Sequence, residues 1–220
     1  MWELQTSPAP SPMLEGDGER SLAQLKMLHS LAARINKLND VREIGEAITS
    51  ELRDLIDYHN CRVFQLQADG TTLFPIAFRG ELSEYQGESF EVLTTAVGRG
   101  LTGHVAEIGE SYYSPDADAD PYAVTIPGTP EVDESMLGVP MIYGDRVIGV
   151  VVLSKLGLDQ FDQQDLRVLE VLASHTAVAL ENARLFELER EAAKRARASE
   201  ARISAILLSA LDCVVAMDHE

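Results

Sequence analysis

Between Asp159 and Glu220 the chain contains neither glycine nor proline. Within that stretch Leu166, Leu169, Leu172, Ala173, Thr176, Ala177, Leu180 and Ala183 recur at steps of three and four, the apolar stripe of an α-helix. Asp162 stands where an N-cap belongs. With no breaker to stop it, the helix is expected to run from about Gln163 to about Ser209, roughly 45 residues or ~68 Å at 1.5 Å per residue. A single domain is not that wide. The part beyond about Leu188 has to project, and its simplest partner is the same helix of a second copy.

The sequence ahead of this helix changes period several times. Residues 1–19 hold three prolines and two glycines with little apolar periodicity, a flexible tail. Over residues 20–38, Leu22, Leu25, Leu28, Ala32, Ile35 and Leu38 stripe one face of a helix. Asp40 with Glu43 reads as a capping box. The helix it opens carries Val41, Ile44, Ile48, Leu52, Leu55 and Ile56 on one side. Cys61 to Gln67 alternates as a strand, with Arg62, Phe64 and Leu66 on one face. Asp69-Gly70 is a hairpin signal, and Thr72 to Arg79 returns as a strand that Pro75 confines to an edge or a bulge. Glu91–Val97 and Leu101–Ile108 read as short helices around a Gly98–Gly103 turn, and Ser111–Ser114 as a short strand. Residues 115–134 form a Pro/Asp/Gly-rich loop, of a length usually kept for function or mobility. Met136–Tyr143 and Arg146–Ser154 make a hairpin about Gly144-Asp145. The apolar run from Val147 to Leu153 marks its second strand as central and covered on both faces.

Charge separates the globular part from the helix that leaves it. The whole chain has 18 basic and 36 acidic residues, net −18. Residues 1–180 contain 12 of the bases and 28 of the acids, whereas residues 181–203 hold six and five. From Gly100 to Asp145 there is no lysine or arginine. An acidic surface of this kind keeps a domain soluble and disfavours nucleic acid and anionic membrane, which need clustered bases. No apolar run reaches the ~18 residues of a membrane span. The N-terminus lacks the basic start of a signal peptide. The two cysteines, Cys61 and Cys213, make no pattern, as expected in a reducing cytoplasmic compartment.

Four stretches fall in one order along this framework. They are Val97-Gly-Arg-Gly-Leu-Thr-Gly-His-Val-Ala106, Ser135-Met-Leu-Gly-Val-Pro-Met141, Asp145-Arg-Val-Ile-Gly-Val-Val-Val-Leu153, and Phe161-Asp-Gln-Gln-Asp-Leu166 through Ala179-Leu-Glu-Asn-Ala-Arg-Leu185. The order and the residues resemble the GAF family of small-molecule sensory domains, over residues 39–187. The resemblance implies an α+β fold: an α/β/α sandwich with a central antiparallel sheet of about six strands and long N- and C-terminal helices. It implies a pocket between the sheet and the Gly98–Pro130 lobe, with Phe78, Leu101, His104, Tyr113, Tyr122, Ser135 and Met136 as the positions that meet a small-molecule ligand. Residues 204–220, with Leu211-Asp-Cys-Val-Val-Ala-Met-Asp218, resemble the opening helix and first strand of a PAS domain.

The organisation implied is a tail (1–19), an N-terminal dimerisation and signalling helix (20–38), the sensor (39–187), a linker helix (188–203) and the start of a next domain (204–220). The chain then reads as the front of a cytoplasmic bacterial signalling protein of histidine kinase type, with cyclic-dinucleotide enzymes and serine phosphatases as alternatives. The segment itself is expected to be non-catalytic and homodimeric through its N-terminal and exit helices. Its cofactor is unknown, with none covalently attached, and it contacts neither nucleic acid nor membrane. The competing reading is a structural dimerisation and interaction module whose pocket is filled by its own side chains.

Other motifs carry less. Gly98-x-Gly100-x-x-Gly103 matches a dinucleotide fingerprint in spelling but does not follow a strand, so a tight turn explains it better. Asp116-x-Asp118-x-Asp120 opens like a calcium loop, but Pro121 and Pro127 stand where the glycine and the bidentate glutamate belong. Ser154-Lys155, Phe161 and Asp165-Leu166 partly match the cyclic-nucleotide signature of some GAF domains (Asn-Lys, Phe, Asp-Glu). His29, His59, His104, His175 and His219 pair with no other ligand at metal spacing. His175 is expected to be packed or dimer-facing. Nothing around Cys61 would lower its pKa, and residues 62–212 contain no cysteine, so the cysteines of GAF-fold methionine sulfoxide reductases have no counterpart there.

Overall fold

The computed structural model of the chain describes residues 25–82, 88–124 and 132–217. The tail, Leu22 and residues 125–131 of the long loop lie outside it, as do residues 218–220. Helix α1 covers residues 25–35. It is followed by α2 (Val41–Glu51), a 3-10 turn (Leu52–Asp54), β1 (Asn60–Leu66), β2 (Thr72–Gly80), α3 (Phe90–Leu93), β3 (Thr95–Ala96), α4 (Gly100–Ile108), β4 (Tyr112–Ser114), β5 (Glu134–Tyr143), β6 (Arg146–Leu156) and α5 (Gln163–Met217).

The strands form one six-stranded sheet in the order β3-β2-β1-β6-β5-β4, and every pairing is antiparallel. The proline sits where its missing donor is tolerated. Val63 pairs with Ala77 while Phe64 pairs with Pro75, so the ladder bulges at Ile76. As the apolar run requires, β6 lies inside the sheet between β1 and β5, and Val150 to Leu153 are all buried.

Strand alternation then sorts the side chains into two cores. Cys61, Val63, Leu137, Val139, Met141, Val151 and Leu153 face α1, α2 and α5. Phe64, Met136, Val150 and Val152 face α4, where Leu101, Val105 and Ala106 meet them. The result is the expected α/β/α sandwich. Gly138 lets α4 come this close: a Cβ there would lie 2.9 Å from both Leu101 Cδ2 and Val105 Cγ2.

Capping follows the sequence. Asp40 Oδ1 accepts from the backbone N–H groups of Arg42 and Glu43. Asp162 Oδ1 accepts from Gln164 and Asp165 N–H, and Asp165 returns a carboxylate to Asp162 N–H at 3.0 Å, a closed capping box.

The α1 stripe serves the domain's own core. Leu28, Leu31, Ala32 and Ile35 pack into the helix-side cluster, whereas Leu25 is exposed. Replacing Ile35 or Leu28 with alanine is expected to cost about 2–5 kcal/mol each in urea unfolding, because both are buried. Unchanged midpoints would mean that α1 does not pack on the sheet.

Two segments differ from their expected form. Glu91–Val97 is not one helix. It ends at Leu93, and Thr95-Ala96 pairs with Leu73 and Thr72 as a short edge strand. β-Branched Thr94 and Thr95 favour the extended form at this edge. The exit helix is longer than expected at 55 residues, about 80 Å at 1.5 Å per residue. It continues through Leu211–Met217 in place of the expected strand; Asp218 lies outside the described residues.

Candidate ligand pocket

The α4 face of the sheet encloses the candidate pocket. Its floor is Phe64 and Met136; its walls are α3 and the turn after it (Val92 to Thr95), Leu101 and Thr102 of α4, and Ala123 and Val124 of the loop after β4. The cavity measures about 200 Å³. The Gly98–Gly103 segment is the expected tight turn. Gly98 and Gly100 adopt φ of +79° and +69°. Gly98 N–H donates to the Gly103 carbonyl at 2.8 Å, and a Cβ on Gly103 would lie 2.2 Å from the Ala96 carbonyl oxygen.

A buried ion pair stands at one end of this cavity. Arg62 also lines it, and its side chain is 5% exposed, that of Glu88 1%. Arg62 Nε donates to Glu88 Oε1 at 2.8 Å, and Nη2 reaches the same oxygen. Nη1 donates to Ser154 Oγ at 3.3 Å. Asn60 Nδ2 donates to Glu88 Oε1 at 2.6 Å. Among the described residues, Glu88 Oε2 and Asn60 Oδ1 are buried without a hydrogen-bond partner. Arg62 was legible as a charge on the otherwise apolar face of a strand. Glu88 carries no local signal, because its partners lie 26 and 28 residues away.

Loop 115–124 is latched over α4 by aromatic side chains. Tyr122 stacks on His104 with ring centroids 3.6 Å apart and planes 7° apart, and Tyr112 meets both edge-on. Tyr112 Oη donates to Asp120 Oδ2 at 3.0 Å. The acidic loop carboxylates are spent on local turns: Asp116 Oδ1 accepts from Asp118 and Ala119 N–H, and Asp120 Oδ1 from Tyr122 N–H. Among the described residues no cluster of ligand-type side chains could hold a metal.

Of the seven expected pocket residues, Leu101 and Met136 line the cavity. Phe78 belongs to the same apolar cluster and meets Phe90 edge-on. His104 and Tyr122 act on the latch. Tyr113 and Ser135 do not belong to the pocket. They alternate to the opposite face, where Tyr113 packs on Phe161 and Ser135 Oγ accepts from Gln160 N–H. Tyr112, one residue earlier, shares the pocket side. Counting by twos back from Met136 through its partner Ser114 finds it.

The partial cyclic-nucleotide signature is structural. Lys155 Nζ pairs with Asp57 at 2.6 Å and holds that carboxyl below its usual range. Phe161 is buried in the helix-side core. Asp165 closes the α5 capping box, and its carboxyl is raised above the usual range, chiefly by burial. Its ionised form is therefore penalised in the fold, and the penalty grows as pH rises through the raised pKa. Asp165→Asn, which keeps an acceptor, is expected to raise the melting midpoint at pH 7. The gain should shrink as pH falls through ~3.9, the unfolded-chain value, because Asp165 then becomes protonated folded and unfolded alike. A gain equal at pH 7 and pH 3.5 would contradict this. Cys61 is inert, with burial pushing its thiol up to about 12.

A larger opening of about 830 Å³ lies at the turn end of the sheet, between Gln65–Ala68, Arg146–Ile148 and Leu180–Arg184. It is an open groove. Its buried carboxylate, Glu181, is held on both oxygens by Arg184 at 2.7 and 2.9 Å. The smaller cavity, lined by Arg62 of the buried polar cluster and by Ala123 and Val124 of the loop, is the candidate ligand site.

The sequence matches the GAF domain model over residues 39–181. It is 31% identical over 148 residues to the anaerobic nitric oxide reductase transcription regulator NorR of Enterobacter sp. (strain 638), a match covering 64% of this chain and 28% of the regulator. Among solved structures it resembles the GAF domain of a phosphoenolpyruvate-protein phosphotransferase from Coxiella burnetii, at 23% identity and TM-score 0.65 over 75% of this chain and 96% of that one. It also resembles a free methionine-R-sulfoxide reductase from Neisseria meningitidis, at 19% identity and TM-score 0.63 over 84% and 99%. At these identities the two structures speak for the fold alone.

Proposed function

Because the chain belongs to the GAF domain family, as a sensor or regulatory domain, we propose that it binds a small organic molecule in the cavity walled by α3, α4 and Ala123-Val124 and passes the change to a second copy of itself and onward through α5. The observation that carries this reading is the cavity. About 200 Å³ remains between the sheet and α4, with apolar walls, threonine hydroxyls and a buried ion pair at its edge. In the competing reading, a structural module, Tyr113, Tyr122 and Met136 would fill that space. Tyr113 points to the other face, Tyr122 covers the latch, and only Met136 reaches the wall.

The output side rests on α5. Beyond Ala183 its described side chains are all exposed, and Val171, Val178 and Leu185 repeat at heptad spacing on its outer face. His175, also exposed, lies between the first two. This is the seam we assign to a parallel homodimer. We place the chain in a signalling protein, of which kinase, cyclic-dinucleotide and phosphatase types are the candidate outputs. The NorR likeness adds transcription regulation as a fourth, since the matched stretch is about a quarter of that regulator. No helix among the described residues is long and apolar enough to cross a membrane, and we place the domain in the cytoplasm.

A thermal-shift screen against a library of small metabolites tests the reading. At a hundredfold excess over Kd a binder contributes about 2.7 kcal/mol, a rise of roughly 5–10 °C for a chain of this size. The rise should disappear in Val92→Trp, which places a bulky ring at the half-exposed rim of the cavity. A library that shifts neither protein would favour the structural module.

A further inference from the structure

The pocket latch and the start of the exit helix are held by two consecutive residues of one edge strand. Tyr112 and Tyr113 lie on β4, which among the described residues pairs with β5 alone, Tyr112 opposite Gly138 and Tyr113 opposite Leu137. Alternation sends their rings to opposite faces of the sheet. Tyr112 Oη donates to Asp120 on the loop that closes the cavity. Tyr113 Oη donates to Asp159 Oδ1 at 2.8 Å and accepts from Phe161 N–H at 3.4 Å, both in the connection from β6 to α5. The two loops also touch directly, Asp159 N–H donating to the Pro115 carbonyl at 2.9 Å. Asp159 is the one non-glycine residue with positive φ, +53°, among the described residues. That conformation persists only when its surroundings hold it, and Tyr113 and Pro115 are two of the groups that do.

We propose that β4 is the relay of this domain: Tyr112 reads the position of loop 115–124, and Tyr113 imposes it on Asp159 and the first turn of α5. The proposal deepens the sensor reading and rests on it for the signal, but the mechanical coupling exists without ligand. A loop lifted from the cavity pulls Asp120 from Tyr112, shifts β4 along β5, and draws Tyr113 from Asp159. With three residues and one neighbouring strand among the described residues, β4 costs less to displace than the long inner strands β1, β5 and β6.

Hydrogen-exchange mass spectrometry on the ligand-free chain tests the relay. Tyr112→Phe and Tyr113→Phe each remove one hydroxyl and keep the ring. Either is expected to speed exchange at least about two- to tenfold, the net worth of one hydrogen bond, in both peptides 115–124 and 157–166. Asp159→Gly, which keeps the left-handed backbone but loses the acceptor, should behave like Tyr113→Phe. Asp159→Asn keeps both and should leave both segments protected. Faster exchange only in the loop that lost its own bond, or in neither, overturns the relay. So does loosening spread equally over β1 and β6. Reciprocal loosening in a chain for which the metabolite screen finds no binder would keep the relay and remove the sensor.

Discussion

Glu88→Ala is expected to lower stability by about 3–5 kcal/mol, the usual cost of breaking a buried ion pair from one side. Arg62 and Asn60 both donate to its Oε1, and the Arg62 and Glu88 side chains are almost wholly out of water. Removing the carboxylate takes a counter-charge and two hydrogen bonds from a guanidinium in low dielectric. Glu88→Gln retains an acceptor and should cost less. The double change Arg62→Met with Glu88→Met should lie closer to the wild type than either single change, because the charge and the cost of desolvating it leave together. Urea unfolding of wild type, Arg62→Met, Glu88→Met and the double variant gives the coupling directly. A Glu88→Ala cost below about 1 kcal/mol would place the pair in solvent.

Gly149→Ala is expected to cost about 3 kcal/mol or more, at the upper end of overpacking. The added methyl would lie 2.4 Å from Met141 Cε, which can swing away, but 2.2 Å from the Phe64 carbonyl oxygen, which cannot. That carbonyl belongs to the β1 ladder, where Gln65 stands opposite Gly149 and Phe64 opposite Val150. The two central strands would have to part. Gly144→Ala is the control. Its site is open, so only the φ of +61° resists a side chain, at about 1–2 kcal/mol. Equal midpoints for the two variants would contradict the close approach at Gly149.

Local pattern was enough for much of this fold. Both hairpins, the central place of β6 and the caps at Asp40 and Asp162 follow from period, turn residues and side-chain chemistry within a few positions. The misplacements have a common cause in contacts that are distant in sequence. Tyr113 and Ser135 differ from the pocket side by one residue, and the face of a strand is settled by register with its partner. Glu88 reaches across 26 residues to Arg62. The helical course of Leu211–Met217 ran against its β-branched Val214-Val215 pair, where no breaker stopped a helix already propagating.

In the proposed reading the cavity between the sheet, α3, α4 and Ala123-Val124 holds a small molecule. Native mass spectrometry tests it most directly, on the chain incubated with a defined library of metabolites small enough for about 200 Å³. The prediction is a single adduct per chain that is lost in Val92→Trp. No adduct, or one that the Val92→Trp protein keeps equally well, would contradict it.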